Sequence, residues 1–155
     1  MTIDDDNLTK SRYYVLEEAV YWLETQQSQF EVKFKQQMAR LPATNHFAQL
    51  PAAEIEQMAT RNFIGICKRT GGAPMHGEVV KQAMHETFHQ GIALNDWDEF
   101  FTATNEAVLA VIDQGLINRP RHQEIIRTKV QHICQMFRTT AILAYITCQA
   151  TSEKG

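Results

Sequence analysis

The chain has 155 residues, 44 % of them hydrophobic, and a formal net charge of −3, which suits one domain large enough to bury its own core. The acidic balance argues against a nucleic-acid footprint, since Lys68-Arg69 and Arg119 to Arg121, the basic clusters, fall at helix ends and no basic stripe is interleaved with aromatics. Cys67, Cys134 and Cys148 are odd in number, far apart and set in apolar surroundings, the habit of reduced thiols, and no 18-residue apolar run is present.

Asp4-Asp5-Asp6 stands where a signal peptide would be basic, so a cytoplasmic protein without a membrane span is expected, with residues 1–7 as an unpacked lead. From Leu8 onward Val15, Leu16, Ala19, Val20, Trp22 and Leu23 recur at threes and fours, the period of an amphipathic helix. The pattern weakens over Gln26 to Gln29 and resumes at Phe30, Phe34, Met38 and Leu41. Two helices joined by a bend, or one long helix, end before Pro42.

A connector from Pro42 to Leu50 carries Phe47 inward. Pro51 suits the first turn of the next helix, which holds Ile55, Met58, Phe63, Ile64, Ile66 and Cys67 and breaks at Thr70-Gly71-Gly72-Ala73-Pro74. Val79, Val80, Ala83, Met84, Thr87 and Phe88 then form an apolar stripe on a helix closed near Gly91. Asn95 is the expected N-cap of a helix burying Trp97, Phe100, Phe101, Val108, Leu109, Val111 and Ile112. After a turn from Gly115 to Pro120, a final helix runs from about Arg121 to about Ala150, leaving residues 151–155 as a tail.

No stretch reads as a strand, so one all-helical domain over residues 8–150 is expected. The last two helices carry more apolar surface than one core-facing stripe needs. A helix central to its own domain would account for this, and so would a second copy of the chain packed against them.

His85 and His89 are four apart and share one face of a helix. His85-Glu86-x-x-His89 matches H-E-x-x-H, in which two imidazoles bind zinc and the glutamate serves as general base, with Glu99 or Glu106 available as third ligand. A zinc peptidase also needs a way to hold an extended substrate, and no strand is present for β-augmentation. One imidazole at a helix end between apolar walls would instead suffice for haem. Two solvated histidines are the third reading, and the pair alone does not separate them.

The order of elements supports the haem reading. Two N-terminal helices with a Phe-rich end, a connector with Phe47, a helix, a Gly-rich break, a helix ending in His and two long helices follow the succession of the globin fold. Phe30-x-x-x-Phe34, then Arg40-Leu41-Pro42 and Phe47, then His89-x-x-Ile92-x-Leu94 leading into an aromatic helix resemble the sensor globins of bacterial globin-coupled sensors. The resemblance spans about Leu16 to about Thr147.

It implies a globin fold and haem b with His89 as proximal iron ligand, His85 being the second candidate. It also implies haem walls of Phe34, Phe47, Ile55, Met58 and Phe88, and a homodimer through the last two helices. A diatomic gas (O2, CO or NO) would be the ligand, and an output domain or partner protein would read the signal. Two positions depart from the family pattern. Lys35 replaces a distal Tyr and would reach a propionate, ligate the iron or face water, and His85 replaces an apolar residue. Haem-free sensor globins form the alternative, since an apolar pocket for a fatty acid would have the same sequence signature.

Overall fold

The Ser11 side-chain oxygen accepts a hydrogen bond from the Tyr14 amide at 3.1 Å, and this cap starts α1, Arg12–Glu24. The computed structural model describes residues 10–154, in which α1 is followed by α2 (Gln27–Met38), α3 (Ala52–Thr70), α4 (Gly77–His89), α5 (Leu94–Gly115) and α6 (Pro120–Lys154). A 3-10 turn, Phe47–Gln49, lies in the α2–α3 connector, and no strand occurs among the described residues. The expected lead, residues 1–7, lies outside them.

The weak stretch at Gln26 marks a true break between two helices. Thr25 Oγ1 donates to the Trp22 carbonyl at 2.6 Å, satisfying one of the orphan acceptors at the end of α1. Phe30 and Phe34 then face inward one turn apart on α2. Phe30 meets Phe63 of α3 at 5.0 Å between centroids, and Phe34 meets Phe100 of α5 edge-on at 5.9 Å. All three of Phe30, Phe34 and Phe63 are fully buried, each contributing about 1.5–3 kcal/mol of transfer free energy.

The apolar interior has two parts. The larger joins α1, α2, α3, α5 and the first half of α6. The smaller consists of Val80, Met84, Ala141 and Tyr145, with Phe88 and Phe137 against it, between α4 and the second half of α6. Trp97 and Phe101 of α5 are the half-buried side chains that pack against both. α6 is the helix on which α4 packs extensively, and α4 makes no more than glancing contact with α3.

Several details differ from the sequence reading. Ala93, not Asn95, precedes the first turn of α5, without a side-chain cap, while the Asn95 amide donates to Glu99 at 3.2 Å. Residues 151–154 continue α6 instead of forming a tail, because no Gly or Pro interrupts the chain before Gly155. Ile64 and Val79, read as part of apolar stripes, are exposed. α4 stops at His89 because Gly91, at φ +78°, turns the backbone out of the helical register.

Candidate functional site

α4 holds both histidines because its first-turn Glu78 favours the positive helix end and Gly91 closes the other. Its inner side is set by Val80 and Met84 against α6. His85 lies about 100° and His89 about 140° around the helix from Met84, and both are exposed. Their rings stand edge to face at 4.4 Å between centroids, and the Phe88 ring lies 5.5 Å from that of His89. His85 Nδ1 is also 3.5 Å from Cys148 Sγ on α6, a neighbour that sequence spacing gives no means of finding.

Five of the side chains singled out as haem walls divide by burial. Phe34 and Phe47 are buried, whereas Ile55, Met58 and Phe88 are half-buried. Phe47 stacks on Phe100 at 4.6 Å and meets Trp97 edge-on at 4.6 Å. Phe88 meets Tyr145 edge-on at 5.3 Å. Ile55 and Met58 of α3 border the larger apolar cluster and Phe88 of α4 borders the smaller one.

Lys35 faces water. Its Nζ donates to Glu56 Oε1 at 2.9 Å across α2 and α3, with both side chains more than half exposed. The hydrogen bond, then the charge of Glu56, raises the lysine, and the same pair lowers the glutamate. Of the three roles open to Lys35, facing solvent is the one this geometry matches, and its exposure keeps the energetic weight of the pair small.

Two residues were read only as buried members of α5. Trp97 and Phe101 stack at 5.4 Å, are half-buried and touch both apolar clusters, and the Trp97 Nε1 hydrogen is buried without an acceptor. Their position just after the His-bearing helix, in the aromatic run Trp97 to Phe101, was the available signal. Trp97 contributes an orphaned indole donor, and Ile55, Met58 and Phe88 are partly buried apolar side chains at the margins of the two clusters, residue types that a flat, largely apolar group with an acceptor at its edge would use, as haem with its propionates is.

For zinc, Glu86 accepts from Gln82 on the outer side of α4, and Glu99 accepts from Asn45 and Asn95. Among the described residues no three His, Cys, Asp or Glu side chains are gathered so as to hold a metal ion. No helix among them is long and apolar enough to cross a membrane. No family model matches the chain, and no curated protein or solved structure matches it.

Proposed function

We propose that this chain is a cytoplasmic sensor domain of the globin type that binds haem b through His89 and signals to an output domain or partner. The observation that carries this reading is the parted core. α3 and α4 are not packed on each other, the apolar clusters meet at Trp97 and Phe101, and an exposed imidazole stands at the end of α4.

In this reading His89 would hold the iron, and Ile55, Met58 and Phe88 would supply apolar surface that excludes water from it. The bound haem supplies an iron that takes a diatomic gas reversibly. Lys35, held outside by Glu56, would offer a bound gas no hydrogen bond. A movement of α4 reaches α6 directly, because α4 packs on that helix and the Tyr145 hydroxyl holds the Ile92 carbonyl at 2.7 Å. Packed helices answer such displacements by switching between discrete arrangements.

The signal would pass between two copies of the chain. Met136, Leu143 and Ile146 are exposed on α6 at spacings of seven and three, the seam of a helical bundle. The apolar side chains Ile55, Met58 and Phe88 also suit a second reading, a haem-free sensor globin that holds a fatty acid in the same place. Substitution separates the two. His89→Ala should abolish the Soret band while His85→Ala keeps it, whereas an acyl ligand would be retained in both variants.

A further inference from the structure

α1 and the end of α3 border a half-open cavity of about 220 Å³ that no residue of α4 lines. Tyr13, Glu17, Tyr21 and Glu24 line it from one face of α1, and Thr70 and Gly71 close it from α3. Three properties converge there.

The first is charge. Glu17 and Glu24 have no ion-pair partner among the described residues, and the cavity abuts the C-terminal end of α3, the negative pole of that helix. Lys68 and Arg69 of the same turn do not line it. The second is aromatic surface. Tyr13 and Tyr21 line the cavity and are 77 % and 57 % exposed, so their rings are free of other packing and open to a cation.

The third is an unsatisfied group. Thr70 is 1 % exposed, and its hydroxyl has no hydrogen-bond partner. Thr60, Thr102 and Thr104 each donate to the carbonyl four residues earlier in their helices, so Thr70 departs from the habit of this molecule. A buried hydroxyl without a partner is costly unless something supplies one.

We infer that this cavity is a binding site for a small organic cation, an ammonium compound held between Glu17, Glu24 and the two tyrosine rings with a polar end toward Thr70. Its volume is below the range of about 300–1,000 Å³ usual for drug-sized ligands, so a headgroup-sized molecule is the right scale. Glu24 also reaches toward α3 electrostatically: after burial, its charge is the second cause that raises the Cys67 thiol.

The test is a calorimetric and amide-shift titration of the full chain with choline and with 3,3-dimethyl-1-butanol, which has the same shape and no charge. Choline should bind at least tenfold tighter than the alcohol and shift the Thr70 and Gly71 amides. The exposed double variant Glu17→Gln/Glu24→Gln should weaken choline at least tenfold with an unchanged circular dichroism spectrum. Co-sedimentation with phosphatidylcholine vesicles would assign the cation to a lipid headgroup, and its absence to a free ligand. Equal binding of the two probes, no choline binding up to about 10 mM, or an unchanged affinity in the double variant would overturn the proposal. None of these outcomes bears on haem.

Discussion

The Tyr145 hydroxyl donates to the Ile92 carbonyl at 2.7 Å, with both residues buried, and so ties α6 to the turn that follows α4. Tyr145→Phe keeps the ring against Phe88 and removes only the donor, leaving a buried carbonyl unsatisfied. The variant should lose about 1–3 kcal/mol in urea unfolding with an unchanged m-value. A smaller loss would show that water replaces the hydroxyl.

The three thiols should differ in reactivity. Burial pushes Cys67 up to about 12 and Cys134 up to about 11 from an ordinary 9.0, whereas Cys148 lies half-buried beside His85. A thiol reagent at neutral pH should label Cys148 first, Cys134 more slowly because its thiol is raised though half-buried, and Cys67 only on unfolding. Because both folded values are raised, the unfolded chain ionises first as pH climbs. Stability should therefore be unaffected by these groups below pH 9.0 and fall as pH rises from 9.0 toward about 11 and 12. Replacing Cys67 and Cys134 by Ala should flatten that slope in urea titrations at alkaline pH.

Gly115 ends α5 directly beneath the Trp22 indole, where an added Cβ would lie 2.2 Å from Cζ2. Gly115→Ala should destabilise the fold by about 1–3 kcal/mol through overpacking. Combining it with Trp22→Leu should recover part of that loss relative to the sum of the single variants, as a double-mutant cycle would measure. Additive losses would mean that the two sites do not meet.

Leu143 and Ile146 are 60 % and 46 % exposed on α6. If they form the contact between two copies, sedimentation should give a dimer for the native chain and a monomer for Leu143→Glu/Ile146→Glu. A native monomer would remove the dimer from the proposal.

The helices were legible because apolar spacing and the Gly and Pro breaks act locally. Phe30, Phe34 and Met38 recur every four residues along α2, and their shared inward face follows from that period. What depended on two distant segments was not legible. Lys35 could be placed beside Phe34 in sequence, but its orientation is decided by Glu56 on another helix. Cys148 meets His85 across α4 and α6, and Trp97 gains its place because α5 lies between both parts of the core. Asn95 was misread as a cap for a different reason: its amide is used by Glu99 one turn later, and Ala93 suffices at the helix start.

The most direct measurement is the absorption spectrum of the purified chain titrated with hemin, reduced, and then exposed to CO. The account predicts uptake of one haem per chain, a sharp Soret band that shifts with CO, and loss of that band in His89→Ala. A chain that takes up no hemin, or one whose spectrum is indifferent to His89, would contradict it.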